Sequence, residues 1–221
     1  MPQIYVVIAA YNEELQIGAV LESLLKINKY NIIVVNDGSQ DNTAQIVSQY
    51  PVILLSHKIN RGQGAALATG TQYALSQSAD IIVHFDADGQ FLAPEIEKVI
   101  APIINNKVEV VFGSKFLQAN SVPLLKKILL IKPAIIFNNL FTGIKLTDVH
   151  NGFRALSPRA ASKINIRQDA MAHASEIVAQ VKECKLSYQE VPVTVIYKEF
   201  GQGLGGGLKI LKDLFIKKII S

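Results

Sequence analysis

Five short apolar segments recur through the first half of the chain, and polar or glycine-containing residues follow each of them. They are rich in β-branched residues and occupy positions 4–9, 32–35, 52–55, 81–85 and 108–112. The runs at 4–9 and 32–35 are unbroken, which is typical of strands that are buried on both faces of a sheet. We therefore expect five strands.

Amphipathic segments lie between these strands. In the first of them the apolar residues recur at helical spacing, at Ile17, Val20, Leu21 and Leu24. An alanine-rich segment at 65–75 and a segment that starts near Pro94 are predicted as further helices. Strands that alternate with helices predict an α/β fold with a central, mostly parallel sheet.

The pattern changes after Gly113. Residues 115–147 mix lysine with leucine and isoleucine without a clean period, whereas residues 191–197 alternate and predict a late strand. Residues 201–207 include five glycines, which favour a flexible stretch. The last segment, 208–220, predicts a terminal helix that carries lysines among apolar residues.

Composition limits the classes of protein that this chain can represent. The hydrophobic fraction of 49% is enough for a full core, but no uncharged apolar run approaches the ~18 residues of a membrane helix. The first residues lack the basic region of a secretory signal peptide. Cys184 is the single cysteine, which excludes an internal disulfide and favours a reducing, cytoplasmic compartment.

The charge is mildly basic, with a net value of +4 and a pI near 9.0. The chain has no tryptophan, and its aromatic residues do not interleave with lysine and arginine as a nucleic-acid groove requires. We therefore expect no nucleic-acid partner. The basic excess lies mainly in the C-terminal half beside apolar residues, which suits anionic lipid or phosphate.

Three polar clusters come directly after predicted strands, at 11–13, 37–39 and 86–88. In open α/β sheets, ligands bind at the carboxyl ends of the strands, so we expect all three clusters to line one crevice. Asp37 taken alone fits an Asp-Gly structural turn equally well.

Asp86 and Asp88 form the sharpest of these signals. Two carboxylates spaced two residues apart at the end of a buried strand can converge on one hard cation, and Gln90 offers a further oxygen. Oxygen ligands of this kind suit Mg²⁺ or Mn²⁺, whose other positions go to phosphates and water. Such an ion would neutralise the charge on a departing diphosphate. The alternative is a solvated acidic turn.

The loop around Gly62 and Gly64 matches a dinucleotide fingerprint only in part, because Leu67 stands where the third glycine belongs. Lys58 and Arg61 would make it a phosphate-facing loop. A structural loop that leads into a tightly packed helix remains an alternative.

Four ordered motifs together resemble glycosyltransferase family 2. They are Ala10-Tyr11-Asn12-Glu13, Asn36-Asp37-Gly38-Ser39, Asn60-Arg61-Gly62-x-Gly64 and Asp86-Ala87-Asp88-Gly89-Gln90. Within the family the chain is similar to dolichyl- or polyprenyl-phosphate mannose synthases and to short bacterial enzymes of cell-surface polysaccharide assembly. The resemblance implies a GT-A fold, which is Rossmann-like and three-layered, a UDP- or GDP-linked sugar donor, and inversion at the sugar carbon.

The resemblance also implies roles for individual residues. Those expected to bind the nucleotide-sugar are Ala9, Tyr11, Glu13, Asp37, Arg61, Gly62, Asp86, Ala87 and Asp88. The metal, Mg²⁺ or Mn²⁺, is expected on Asp86, Asp88 and Gln90. We accordingly predict one domain, 1–221, with a nucleotide-sugar-binding half at 1–114. The acceptor-binding half, 115–221, would end in an amphipathic tail.

The second half carries acceptor-side motifs of the same family. Gly113-Ser114-Lys115, Asp148-x-x-x-Gly152-Phe153-Arg154 and His173-Ala174-Ser175-Glu176 match by position, and Lys198 stands where the synthases usually have arginine. A polyprenyl phosphate is already anionic and needs cations to steer it. The candidate cations are Lys115, Lys126, Lys127, Arg154 and Lys198.

A sugar hydroxyl as acceptor would instead need a carboxylate to take its proton. Asp148 is the first candidate for that base and Glu176 the second, while Asp88 is the further catalytic candidate. The alternatives are a structural turn residue for Asp148 and a solvated helix acid for Glu176.

Residues 115–147 are interpreted as a platform for a lipid-linked acceptor, because lysines can extend to water while leucine and isoleucine contact acyl chains. This predicts a peripheral enzyme at the cytoplasmic face of the membrane. The alternatives are a core helix or a dimer contact, and a homodimer is also expected because such assemblies are common.

Two other classes of protein share part of the pattern. Phosphohydrolases of the haloacid dehalogenase type also place Asp-x-Asp after a strand, but usually after the first one. Nucleotidyltransferases usually carry a glycine- and lysine-containing loop where Tyr11-Asn12-Glu13 stands here. A catalytically inert nucleotide-binding module is the remaining alternative.

Overall fold

The computed structural model describes residues 2–118, 143–168 and 172–196. In these parts of the chain the strands are β1 (Ile4–Ala10), β2 (Asn31–Asn36), β3 (Ile53–Ser56), β4 (Ile81–Asp86), β5 (Val110–Ser114), β6 (Arg154–Leu156) and β7 (Tyr188–Pro192). The helices are α1 (Ile17–Leu25), α2 (Thr43–Val47), α3 (Gln63–Ser76), α4 (Ile96–Ile104), α5 (Pro158–Lys163) and α6 (His173–Glu183). Short 3-10 turns occupy Ala93–Glu95 and Lys115–Leu117.

All of these strands belong to one sheet, with the order β3-β2-β1-β4-β6-β5-β7. Strands β1 to β4 pair in parallel, and β7 pairs in parallel with β5. Strand β6 is antiparallel to both of its neighbours, β4 and β5. The central, mostly parallel sheet expected from the sequence is therefore confirmed.

The helices cover both faces of the sheet and make a three-layer fold. Apolar residues of α1, α2 and α4 form one buried cluster with the first face, and those of α3, α5 and α6 form a second cluster with the other face. In β1, Val6 and Ile8 enter the first cluster, whereas Tyr5 and Val7 enter the second. Burial on both faces explains why the sequence of β1 is continuously apolar.

The late strand predicted at 191–197 lies a few residues earlier in the structure. Strand β7 ends at Pro192, and beyond it Val195 forms only an isolated bridge with Phe91. Because β7 is at the edge of the sheet, its residues Gln189 and Glu190 are not required to be apolar, and the pattern gave no strand signal there. The predicted strand therefore overlaps β7 only at 191–192, and Tyr197 lies outside the described residues.

The segment that follows β7 is tied to the body of the fold through Glu95. This buried carboxylate accepts hydrogen bonds from the backbone N–H of Thr194 at 2.6 Å and from its hydroxyl at 3.0 Å. Lys98 donates to it at 2.9 Å. Residues 193–196 are thereby held against the start of α4.

We expect Glu95→Ala to lower the free energy of unfolding by about 2–4 kcal/mol, because the partners of a buried carboxylate lose their acceptor. Denaturant unfolding of the variant measures this loss. Glu97→Ala is the matched control, since Glu97 is exposed and its ion pair with Lys29 should contribute less than about 1 kcal/mol. Equal losses in the two variants would contradict the anchoring role of Glu95.

No helix within the described residues is long and apolar enough to cross a bilayer. The predicted amphipathic tail and most of the 115–147 platform lie outside those residues.

Candidate functional site

A cavity of about 550 Å³ opens at the carboxyl ends of β1, β2 and β4. Residues 150–154 and the start of α6 close its other side. It is lined by Ala9, Ala10, Tyr11, Glu13, Asp37, Asn60, Gly62, Gln63, Asp86, Ala87, Asp88, His150, Gly152, Arg154, His173 and Ala174. The three polar clusters that follow the strands thus reach one cavity, whose size is typical of small-molecule sites.

Asp37 organises the loop that follows β3. Its Oδ1 accepts from His57 Nδ1 at 2.6 Å and from the Arg61 backbone N–H at 3.0 Å, and its Oδ2 accepts from the Gly62 N–H at 2.6 Å. Gly62 has φ of +99°, a conformation that strongly favours glycine. The carboxylate therefore fixes the backbone of the glycine loop at the wall of the cavity.

Arg61 contributes its backbone to this arrangement, while its side chain is exposed and outside the cavity lining. The predicted contact of the Arg61 side chain with nucleotide stays a prediction. The backbone of Gly38 packs against Ile59 and Asn60 so closely that a Cβ would lie 2.6 Å from the Asn60 nitrogen. The loops after β2 and β3 are thus locked together.

The side chain of Asp86 is fixed by contacts with two other parts of the chain. Its Oδ1 accepts a hydrogen bond from Gln63 Nε2 at 3.0 Å, and the backbone of Gly152 packs directly against its carboxylate. Burial raises the pKa of Asp86 to about 6, with a further contribution from Asp88, whereas the charge of Arg154 opposes the shift. Ionisation of Asp86 is therefore unfavourable in the folded protein when no metal is bound.

Asp88 and Glu13 add to the negative charge beside Asp86. Burial raises the pKa of Glu13, and the charges of Asp88 and Asp41 reinforce the effect. Asp88 Oδ1 accepts from the backbone N–H of Gln90 at 2.9 Å, which braces the turn after β4. The Gln90 side chain is not part of the cavity lining, so its role as a metal ligand stays a prediction.

The carboxylates fit a divalent cation that arrives with its own phosphate ligands. Within the described residues there is no group of three or more His, Cys, Asp or Glu side chains arranged to hold a metal alone. Mg²⁺ and Mn²⁺ commonly take one or two protein carboxylates and complete their coordination with substrate phosphates and water. Asp86 and Asp88 match that donor set.

Arg154 lies at the floor of the cavity and is buried. It is 1% exposed, and it donates from Nη2 to the Asn151 carbonyl at 3.0 Å and from Nε to the Gly152 carbonyl at 3.3 Å. Its Nη1 has no hydrogen-bond partner among the described residues. Burial lowers the pKa of Arg154 to about 10, and Asp86 opposes that change.

His84 is buried behind Arg154 in the neighbouring strand. Its Nε2 pairs with the Thr71 hydroxyl at 2.9 Å, and its Nδ1 has no partner in the part of the chain that the structure describes. Burial, together with the charges of Arg154 and His173, lowers the pKa of His84 well below its usual value. His84 is therefore neutral, and Arg154 supplies the positive charge at the cavity floor.

Asp148 lies outside the cavity lining and is engaged in structural contacts. Its Oδ2 accepts from the Lys115 backbone N–H at 3.3 Å and from Asn151 Nδ2 at 3.2 Å, with Lys115 Nζ at 3.9 Å. Its own backbone N–H donates to Glu190 Oε1 at 3.1 Å. These contacts join the turn after β5 to β7 and match the structural alternative for Asp148.

Glu176 is not brought to the cavity. Its Oε2 accepts from the backbone N–H groups of Arg167 and Gln168, both at 2.9 Å, in a separate cavity of about 370 Å³. This position is that of a loop-fixing residue, and the catalytic role of Glu176 stays a prediction. Lys126, Lys127 and Lys198 lie outside the described residues.

Some residues of the cavity were given no role from the sequence, among them Gln63, His150, Gly152 and His173. Gly152 and His173 belong to motifs that the sequence identified, but no role was assigned to either residue. Gln63 and His150 are variable positions inside such motifs, and only the fold shows that they line the cavity. Side chains that act through contacts between distant elements leave no local signal.

We expect Asp86→Asn to stabilise the metal-free protein at neutral pH by about 1–2 kcal/mol, since a shift of one pKa unit corresponds to ~1.4 kcal/mol and cavity water screens part of it. The folded pKa is raised, so between about pH 4 and pH 6 the unfolded chain releases a proton that the folded protein keeps. Stability of the unsubstituted protein therefore falls as the pH rises through this interval, and asparagine removes that loss.

Thermal unfolding in chelator, at neutral pH and below about pH 4, measures the effect. The stability difference should be present at neutral pH and vanish in acid. A variant that is less stable than the unsubstituted protein at neutral pH would show that Asp86 is not under electrostatic strain.

Comparison with known proteins agrees with this geometry. Residues 5–164 match the sequence model of the family described as Glycosyl transferase family 2. An uncharacterized protein of Methanocaldococcus jannaschii is 38% identical, over 98% of this chain and 93% of its own length. A UDP-N-acetylglucosamine–dolichyl-phosphate N-acetylglucosaminyltransferase of Methanococcus voltae is 35% identical, over 98% of this chain and 95% of its own.

The fold has a counterpart among solved structures. Glucosyl-3-phosphoglycerate synthase from Mycobacterium tuberculosis, in complex with Mn²⁺, UDP and phosphoglyceric acid, superposes with a TM-score of 0.71 at 17% identity. The match covers 93% of this chain and 73% of the synthase chain. This likeness identifies the three-layer fold as GT-A. Together with the family match, it shows that the chain belongs to glycosyltransferase family 2 and is a glycosyltransferase.

Proposed function

We propose that this enzyme transfers N-acetylglucosamine from UDP-N-acetylglucosamine to a polyprenyl phosphate of the dolichol type, with Mg²⁺ or Mn²⁺ bound at Asp86 and Asp88. The observation that carries the proposal is the convergence of Glu13, Asp86 and Asp88 in one nucleotide-sized cavity. The similarity to the Methanococcus voltae transferase over nearly the whole chain supports the choice of sugar and acceptor.

The donor half of the cavity suits a nucleoside diphosphate. Ala9, Tyr11, Asp37 and Gly62 form the wall at the ends of β1 and β2, where the nucleoside would lie. The diphosphate would then reach the Asp86–Asp88 turn. A divalent cation at this turn would neutralise the charge that develops on the departing UDP.

The reaction itself needs one bond made and one broken. An oxygen of the acceptor phosphate attacks the sugar's anomeric carbon from the face opposite UDP, and the bond from that carbon to the UDP oxygen breaks with inversion. A phosphate oxygen is already anionic, so no proton has to be removed. Asp148, the best candidate base for a hydroxyl acceptor, is occupied by Lys115 and Asn151, which supports the phosphate acceptor.

Positive charge for the acceptor phosphate is available on the far side of the cavity. Arg154 offers a buried Nη1 that has no hydrogen-bond partner within the described structure, and buried polar groups are rarely left unpaired without a reason. Lys115 lies near Asp148 at the end of β5. Arg154 was predicted as an acceptor-binding cation, and its place in the cavity lining supports that role. Lys115 lies outside the lining, and its role in acceptor binding stays a prediction.

The proposal is tested by incubating the purified enzyme with polyprenyl phosphate, Mn²⁺ and radiolabelled donors. UDP-N-acetylglucosamine should transfer its label to an organic-extractable product, and GDP-mannose should transfer little. Omitting the lipid or adding a chelator should abolish the product. Efficient transfer from another sugar nucleotide would overturn the choice of donor, and transfer only to a free saccharide would overturn the choice of acceptor.

We also propose that the enzyme meets its acceptor at a membrane surface. Leu117 and Ile196 are exposed apolar residues, 43% and 40% accessible, close to the ends of β5 and β7. Gln118, next to Leu117, donates from Nε2 to the hydroxyl of Thr194, two residues before Ile196, at 2.8 Å, so the two segments lie side by side. This edge would face the lipid.

We expect the double substitution Leu117→Ser and Ile196→Ser to reduce binding to anionic vesicles several-fold, because apolar side chains near the interface add binding energy. Vesicle flotation measures the bound fraction. Ile104→Ser is the control, since Ile104 is similarly exposed at 46% but ends α4, away from the carboxyl ends of β5 and β7. Equal loss in both proteins would contradict docking through this edge.

A further inference from the structure

Gln63 is the variable position of the motif Asn60-Arg61-Gly62-x-Gly64, and the resemblance assigns it no role. It is the first residue of α3 and lines the cavity, and its Nε2 donates to Asp86 Oδ1 at 3.0 Å. Asp86 ends β4, so this hydrogen bond joins two elements whose residues are 23 positions apart. Within the described residues, it is the side-chain hydrogen bond that the Asp86 carboxylate receives.

Two neighbouring side chains, Gln63 and Arg154, are alternative partners for the Asp86 carboxylate. Gly152 closes one side of the carboxylate. The buried guanidinium of Arg154 attracts the carboxylate, and its Nη1 has no partner among the described residues. Within the described structure the two residues nevertheless form no ion pair. The Gln63 amide is the neighbour that bonds Asp86 in its observed position.

We propose that Gln63 is a positioning residue, which holds Asp86 in the orientation that binds the metal–diphosphate group and keeps it from pairing with Arg154. This inference rests on the proposed function of Asp86 in donor binding. A donor amide is required, because a carboxylate needs a hydrogen-bond donor at this distance. The side chain acts through Asp86 and takes no part in the chemical step.

Three substitutions separate this role from simple packing. Gln63→Ala removes both the amide and the bulk, and Gln63→Met keeps the bulk but removes the donor. Gln63→Glu keeps the shape and replaces the donor with a second carboxylate. If the hydrogen bond matters, all three should weaken the binding of UDP with Mn²⁺ about tenfold or more, since bonds to charged groups are among the stronger ones.

Calorimetric titration of UDP, with Mn²⁺ and in chelator, is the measurement. The weakening should appear with Mn²⁺ and be small in chelator, and raising the Mn²⁺ concentration should restore the transfer rate of Gln63→Ala. Gln72→Ala is the matched control, because Gln72 is an exposed glutamine of the same helix. It should bind as the unsubstituted protein does.

The outcomes distinguish the inference from the function on which it rests. If Gln63→Met binds UDP and Mn²⁺ as well as the unsubstituted protein, the hydrogen bond is irrelevant and the inference is wrong. If all Gln63 variants lose affinity equally with and without Mn²⁺, the role is packing and the inference is again wrong. If the unsubstituted protein itself binds no UDP with Mn²⁺, the proposed donor site fails first.

Discussion

Gly152→Ala is expected to lower the transfer rate at least about 100-fold while the protein stays folded, because a small displacement of a reacting group has effects of this size. An added Cβ would overlap Oδ2 of Asp86 and lie 2.5 Å from Oδ1. The carboxylate has Gln63 on another side, so the methyl group would push it from its position. Steady-state transfer assays and UDP titration measure the loss.

The control for this substitution is Gly18→Ala. A Cβ at Gly18 would meet the hydroxyl of Tyr50 at 3.1 Å, which is the end of a long side chain, and alanine favours the helix. We expect this variant to keep its activity and its stability. If Gly152→Ala were equally active, the close contact between Gly152 and Asp86 would have no functional meaning.

Asp88→Asn is expected to reduce the transfer rate by about three orders of magnitude, the usual effect of losing one preorganised electrostatic contact to a developing charge. The substitution is nearly isosteric, and the amide oxygen of the introduced asparagine would still accept from the Gln90 N–H. The fold should therefore persist. Without ligand, thermal unfolding should show a midpoint no lower than that of the unsubstituted protein, because the removed charge also relieves Asp86 and Glu13. The shift with UDP and Mn²⁺ should be smaller.

Asp80→Asn is the matched control for Asp88→Asn. Asp80 is exposed, lies just before β4 at the opposite end of that strand, and accepts from the Gln3 N–H at 2.7 Å. Its substitution should leave the transfer rate within about twofold, since exposed polar groups contribute little. Comparable losses in the two variants would point to a general effect of charge and would remove the argument for a metal at Asp88.

The first half of the fold was predictable because its signals are local. Buried parallel strands must be apolar on both faces, and each of the first four is followed by polar residues at the ligand-binding edge. The convergence of Glu13, Asp37 and Asp88 therefore followed from the order of strands and turns. The family assignment also replaces the phosphohydrolase alternative, which rested on the Asp-x-Asp pair, and the nucleotidyltransferase and binding-module alternatives.

The rest depended on contacts that sequence does not display. Strand β6 has only three residues, Arg154–Leu156, and its insertion between β4 and β5 brings Arg154 to the cavity floor. The polar edge strand β7 was predicted a few residues too late for a related reason. The structure gives Glu176 backbone partners in a loop, whereas the sequence alone allowed either a base or a solvated acid.

A crystal structure of the enzyme with UDP and Mn²⁺ tests the central claim most directly. UDP should lie in the cavity at the carboxyl ends of β1, β2 and β4, with an anomalous manganese peak at the Asp86–Asp88 turn beside the diphosphate. Asp86 should still accept from Gln63. A diphosphate bound outside this cavity, or bound there with no metal at the Asp86–Asp88 turn, would contradict the account.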